Sequence, residues 1–181
     1  MRIFVATRDG LLVADPAGGA LDEAPALAGR SPTCLAADPL TRGRVWCGTE
    51  AEGLWRSDDD GASWRPVGLE GEELTAVAAS PVEPGLVWTG TEPSALWRSA
   101  DGGAGWQRAD GLDELPSAPE WSFPPRPDTH HVRWIACHPR QAGRLGLAIE
   151  AGALVATPDG GRTWHDRVAG GPYDTHQLAI H

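Results

Sequence analysis

Ser57-Asp58-Asp59-Asp60-Gly61-Ala62-Ser63-Trp64 decides the fold, because the turn it encodes returns twice more. It recurs as Ser99-Ala100-Asp101-Gly102-Gly103-Ala104-Gly105-Trp106 and as Thr157-Pro158-Asp159-Gly160-Gly161-Arg162-Thr163-Trp164. Each copy is preceded by three short runs in the same order. The first runs are Cys34-Leu35-Ala36-Ala37-Asp38-Pro39, Ala76-Val77-Ala78-Ala79-Ser80-Pro81 and Trp134-Ile135-Ala136-Cys137-His138-Pro139. The second close on Glu50, Glu92 and Glu150, and the third are Gly53-Leu54-Trp55-Arg56, Ala95-Leu96-Trp97-Arg98 and Ala153-Leu154-Val155-Ala156. Short apolar runs punctuated by Gly and Asp predict antiparallel meanders, and self-similarity at this period predicts stacked four-stranded blades.

Physical chemistry assigns the turn residues. Ser and Asp side chains satisfy loop backbone groups, and Gly takes the positive φ that the turn requires. A four-stranded sheet cannot bury both faces alone, so the closing Trp is expected to wedge against a neighbouring blade. Trp46, Trp55, Trp64, Trp88, Trp97 and Trp106 occupy equivalent positions in two blades and read as core, with Trp64 and Trp106 buried between blades.

These turns resemble the Asp-box, S-x-D-x-G-x-[ST]-W, of the BNR-repeat, sialidase-like β-propeller superfamily. The first copy matches fully, the second has Gly105 in place of Ser or Thr, and the third opens on Thr157. The resemblance implies an all-β propeller of four-stranded antiparallel blades, similar to the first half of bacterial BNR-repeat or glycosyl-hydrolase-like proteins. It also implies structural roles for Ser57, Asp59, Gly61, Trp64, Ser99, Asp101, Gly103, Trp106, Thr157, Asp159, Gly161 and Trp164, on the face opposite the active site. A true sialidase is not expected: no FRIP-like segment is present, and the arginine triad cannot be assembled from first-strand positions.

The turns begin at Ser57, Ser99 and Thr157, so one repeat is 42 residues long and the next 58. The 16 extra residues lie between Trp106 and Arg133, in a segment carrying Trp121-Ser122-Phe123-Pro124-Pro125-Arg126-Pro127-Asp128-Thr129-His130-His131. This is a long loop from the last strand of one blade to the first of the next. Its aromatic and proline content argues for order, and long loops on rigid scaffolds carry function.

In a propeller such a loop shares a face with the turns that join second and third strands. That face is expected to gather Glu50, Glu92 and Glu150 with Arg126, His130, His131, Arg133, Tyr173, Asp174 and His176 as ligand-binding candidates. Thr33, Thr75, Arg133 and His176 are equivalent inner-strand positions at the channel mouth, and two of the four are not Thr. His130 and His131 could join His176 or Asp174 on an ion, since imidazole and carboxylate ligands are used together. Adjacent histidines on a strand point to opposite faces, however, so at most one faces a common ion, and no metal site is expected. Asp38, Ser80 and His138 are equivalent turn residues at the other end of the first strand.

Composition narrows the function classes. The net charge of −10 disfavours nucleic acid and anionic membranes as partners. All 15 basic residues are Arg, which removes Schiff-base and P-loop lysine chemistry, and no cofactor is expected. Cys34, Cys47 and Cys137 have no CxxC spacing and read as small buried hydrophobes. No stretch approaches the ~20 apolar residues of a membrane span, and the first residues hold no signal-peptide apolar region, so a cytoplasmic protein is expected.

Two functions remain open: a scaffold binding a small polar ligand or a partner through its top-face rim, or a hydrolase or lyase using acidic residues with Arg133 holding an anion. No nucleophile–base spacing is visible, which favours the scaffold. Blades are expected over about residues 2–30 (lacking a first strand), 31–72, 73–130 and 131–173, with 174–181 as a closing first strand. An incomplete blade and a lone strand are complementary edges. One chain could shut into a four-bladed ring, or two chains could join head to tail, each lending its last strand to the other in an eight-bladed ring with two-fold symmetry. The homodimer is favoured, because four blades need much sharper wedging; the rival is that the chain is half of a longer propeller with the same edges.

Overall fold

The computed structural model describes residues 2–15, 20–21 and 26–181. Its strands, in chain order, are β1 (Ile3–Thr7), β2 (Gly10–Asp15), β3 (Ala20–Leu21), β4 (Pro32–Ala37), β5 (Val45–Thr49), β6 (Leu54–Ser57) and β7 (Arg65–Pro66). They continue as β8 (Glu73–Ala79), β9 (Val87–Glu92), β10 (Leu96–Ser99), β11 (Gln107–Arg108), β12 (Val132–Cys137), β13 (Leu145–Ile149) and β14 (Ala153–Thr157). Every sheet is an antiparallel meander: β1-β2-β3, β4-β5-β6-β7, β8-β9-β10-β11 and β12-β13-β14. The chain is a β-propeller with four blade equivalents, and β4, β8 and β12 stand side by side as its inner strands.

The acidic turns hold the third strand of a blade to its outer segment by one repeated pattern. Ser57 Oγ donates to Asp59 Oδ1 at 2.8 Å and accepts from the Gly61 N–H at 2.8 Å. Asp59 Oδ1 also accepts from the Ser63 N–H at 2.8 Å, and Oδ2 from the Ser63 hydroxyl at 2.6 Å. Asp159 accepts the same pair of bonds from Thr163. At the second turn Gly105 supplies only its N–H to Asp101, at 2.9 Å. Gly61 adopts φ +85°, a conformation that side-chain-bearing residues rarely adopt. The bonds to Ser63 and Ser57 hold the Asp59 carboxyl down at about 2, and Asp101 and Asp159 are lowered for the same reason.

The wedge role of the closing Trp is visible in its indole N–H. Trp106 Nε1 donates to the Val67 carbonyl of the preceding blade at 2.7 Å, and Trp164 Nε1 to the Asp110 carbonyl at 2.9 Å. Blades also approach closely at Gly90, where a Cβ would lie 2.5 Å from Val132 Cβ. The six repeated tryptophans are not uniformly core, however. Trp46 and Trp88 are fully buried, whereas Trp55, Trp64, Trp97 and Trp106 are half-buried, each keeping an edge in solvent.

The insertion is packed down. Leu112, Leu115 and Trp121 join the core between the third and fourth blades, and a 3-10 turn at Ala118–Glu120 leads into Trp121. Asp166 accepts from the Ser117 N–H at 2.9 Å and from its hydroxyl at 2.5 Å, pinning the loop to the segment after the third acidic turn.

Two expectations about strands need correction. The outer strand of the fourth blade is reduced to one bridge between Ala156 and His165. Residues 174–181 carry no strand; Leu178 and Ile180 instead lie over Gly146, with side-chain carbons 3.3 and 3.6 Å from where its Cβ would be. In the single chain this segment packs its apolar side chains on the fourth blade and pairs with no strand. The first blade, expected over 2–30, falls partly outside the described residues. No helix among the described residues is long and apolar enough to cross a membrane.

Candidate functional site at the channel mouth

In each complete inner strand the register slips by one residue, between Pro32 and Cys34, Leu74 and Ala76, and Val132 and Trp134. The skipped residues are Thr33, Thr75 and Arg133, so all three sit on β-bulges, which re-aim a side chain away from the ladder. Thr33 Oγ1 donates to the Leu74 carbonyl at 2.5 Å, and Thr75 Oγ1 to the Val132 carbonyl at 2.8 Å. Each Thr thus ties its blade to the next. Arg133, on the third bulge, turns to Glu150, with Nε 3.3 Å from Oε2.

Around Arg133 the fold assembles one continuous polar line. Arg126, from the insertion, reaches Glu73 Oε1 at 2.8 Å and Glu92 Oε2 at 2.6 Å. His131 lies between two glutamates: Nδ1 is 3.3 Å from Glu92 Oε2, and Nε2 is 3.0 Å from Glu150 Oε2. His176 Nε2 is 3.0 Å from Asp174 Oδ1 and 3.9 Å from Glu150 Oε1. Glu92 and His131 are each only 6% exposed, while Arg126, Arg133, Asp174 and His176 project into solvent around them. Ionic contacts to Glu73 and Glu92 raise the Arg126 guanidinium further above its usual range, the bond to Glu73 contributing most.

Of the residues singled out in the sequence, the structure brings together Glu92, Arg126, His131, Arg133, Glu150, Asp174 and His176. Three stand apart. Glu50 is exposed at its turn and acts on Arg126 only through charge. His130 packs its ring edge-on to Trp121 at 5.5 Å, and burial, reinforced by His131, lowers its pKa. Tyr173 lines a separate surface hollow with Pro116, Asp166 and Arg167.

Glu73 and Phe123 were missed. Glu73 occupies the repeat position of Ser31 and His131, so register alone places it at the mouth. Phe123 lies in the insertion, edge-on to His131 at 4.6 Å and beneath Arg126. His138 keeps the turn role expected of it: Nδ1 accepts from the Arg140 N–H at 3.1 Å, as Asp38 and Ser80 accept from theirs.

Below the mouth runs a cavity of about 650 Å³, walled by small and apolar side chains of β4, β8 and β12 together with Ala6, Ala179 and Ile180. Burial pushes its thiols up, Cys34 to about 11 and Cys137 to about 12, which disfavours their thiolate forms. The site is therefore polar at the rim and apolar in the channel.

No family model and no curated protein matches the sequence. Solved structures do match. YCF48 bound to a D1 peptide is 18% identical over 76% of this chain and 40% of its own, with a TM-score of 0.56. The GH74 xyloglucanase from Xanthomonas campestris is 18% identical over 93% of this chain and 28% of its own, with a TM-score of 0.67. An ancestral GH74 enzyme is 16% identical over 93% and 22%, with a TM-score of 0.69. At these identities the likeness carries the fold alone, a β-propeller. The chain spans between 22% and 40% of the length of these three structures.

Proposed function

We propose that this propeller is a binding scaffold whose channel mouth holds a small polar ligand or a partner's loop. The carrying observation is the polar line from Glu73 through Arg126, Glu92, His131 and Glu150 to Arg133. It is drawn from the third and fourth blades and the insertion, and it ends on Arg133, at the bulge where the preceding blades place Thr33 and Thr75 to tie themselves together. Buried charged groups at one end of a channel, with exposed Arg and His above them, are the arrangement of a recognition site. The repeated turns, the insertion and the rim together support membership of the Asp-box propellers, with the turns as structural elements remote from the site. The YCF48 propeller bound to a peptide is a precedent for partner binding on this fold.

A hydrolase is the second reading, favoured by two carboxylates, Glu92 and Glu150, held on opposite sides of one imidazole, and by the GH74 likeness. The burial of Glu92 argues against it, since a general acid or base must reach the substrate. Equilibrium binding and turnover over one panel of glycosides, esters and peptides separate the two. Binding without turnover, abolished by Arg133→Ala, is expected. Turnover with a bell-shaped pH profile, lost in Glu150→Gln, would replace the scaffold with the enzyme.

We further propose that the free edge of β1 accepts an inner-type strand, supplied in the 181-residue chain by residues 174–181 of a second copy. Ile3 and Val5 are 44% and 41% exposed, whereas Val45, Cys47, Val87 and Thr89 at the corresponding places are buried. Light scattering is expected to give twice 19.1 kDa at micromolar concentration. A monomeric mass removes the dimer.

A further inference from the structure

We infer that Glu150, Asp174 and His176 form a site for a divalent transition-metal ion at the channel mouth. The ligand atoms of the three, two carboxylate oxygens and one imidazole nitrogen, lie within 4.8 Å of one another. His176 Nε2 is 3.0 Å from Asp174 Oδ1 and 3.9 Å from Glu150 Oε1. Ligand atoms about 2.0–2.2 Å from a common ion stand roughly 3–3.5 Å apart, so small rotations of exposed side chains close the triangle. The sequence expectation of no metal weighed His130 and His131 with His176 or Asp174. The structure keeps Asp174 and His176 together but sets them with Glu150 in place of the adjacent histidines.

Second, Glu150 is divided between two tasks. Its Oε2 is taken by His131 Nε2 at 3.0 Å and Arg133 Nε at 3.3 Å, which leaves Oε1 turned toward Asp174 and His176. That is how an outer group orients a ligating carboxylate. Third, His131, more than nine-tenths buried, holds Glu150 from behind through Nε2, while its unpaired Nδ1 faces Glu92 on the other side of the ring. Finally, among the described residues Glu73, Glu92 and Glu150 pair with Arg126 and Arg133, and Asp174 with His176, so carboxylates outnumber guanidiniums at the mouth.

Mixed oxygen and imidazole donors suit Zn²⁺, Co²⁺ or Mn²⁺ and disfavour Ca²⁺, which takes six to eight oxygens. Three protein ligands leave at least one coordination position for water or for an atom of a ligand entering the channel. The inference deepens the reading of the mouth as a binding surface and rests on it. Its test, however, uses no organic ligand, so each reading can fail without the other.

The experiment is calorimetric titration of the chelator-treated 181-residue chain with Zn²⁺, repeated with Co²⁺ while the visible absorbance of the bound ion is followed. One ion per chain is expected, with no competition from an equal concentration of Ca²⁺. His176→Ala and Asp174→Asn alter groups that are more than half exposed, so both variants fold; each is expected to weaken Zn²⁺ binding by roughly 100-fold. His131→Gln is expected to weaken it by roughly 10-fold, the range for an outer-shell partner. His138→Ala and Asp101→Asn are expected to bind as the parent does. The inference is overturned if Zn²⁺ fails to bind at one per chain, if the Asp174→Asn, His176→Ala double variant binds normally, or if His138→Ala removes the binding instead.

Discussion

Thr75 and Arg133 occupy the same bulge on successive blades, and they do opposite things. The Thr75 hydroxyl reaches across to the Val132 carbonyl of the next blade and stitches the ring, as Thr33 does one blade earlier. Arg133 turns back to Glu150 within its own blade and leaves that seam to apolar packing. The insertion serves a different seam: Leu112, Leu115 and Trp121 add to the core shared by the third and fourth blades, the largest among the described residues. The comparison teaches that a bulge is a fixed aiming device. A short hydroxyl spends it on the scaffold, and a long cation spends it on the site.

The sharpest test of the scaffold half is Trp88→Ala. Trp88 is fully buried between blades, so its truncation is expected to cost about 3–5 kcal/mol in chemical denaturation. Tight ligand binding with unchanged stability would show that this seam does not hold the blades. Asp59→Ala should lower the Tm by less, and the loss should depend on pH. The Asp59 carboxyl is depressed from 3.8 to about 2 by Ser63 and Ser57, so the ionised group stabilises the fold above its unfolded value. The Tm difference between parent and variant is then full at pH 7 and shrinks as pH falls from about 4 toward about 2. A difference that grows on acidification contradicts the turn network.

Thr75→Val removes the inter-blade hydroxyl and keeps the shape, at an expected cost of about 0.5–1.5 kcal/mol. Binding at the mouth should survive. Arg133→Ala should be the mildest in stability, because an exposed ion pair contributes little. It should nevertheless abolish ligand binding. If Thr75→Val loses the ligand and Arg133→Ala loses the fold, the division of labour between the two bulges is reversed.

Much of the site was legible because propeller topology converts chain position into place. Counting repeats put Glu92, His131, Arg133, Glu150 and His176 on one face, since each falls at a defined point of a regular blade. Tyr173 lies only one residue from Asp174, but the chain turns between them and sends the ring to another surface. Glu73 was overlooked because its register equivalents, Ser31 and His131, share no chemistry with it. The repeated tryptophans misled for a related reason: equivalence in sequence fixes a direction, and exposure depends on what the neighbouring blade places opposite.

The sequence by itself determined the blade, since alternating apolar runs and Ser-x-Asp-x-Gly turns are local patterns that act within a few residues. It also determined where the repeat was interrupted. Only the tertiary structure decided that Arg126 returns across 53 residues to Glu73 and that His131 is buried between two glutamates. It alone decided that Asp174, His176 and Glu150 converge. Those pairings depend on how blades are wedged together and on where a long insertion packs. These are non-local outcomes of burial that no short window of residues encodes.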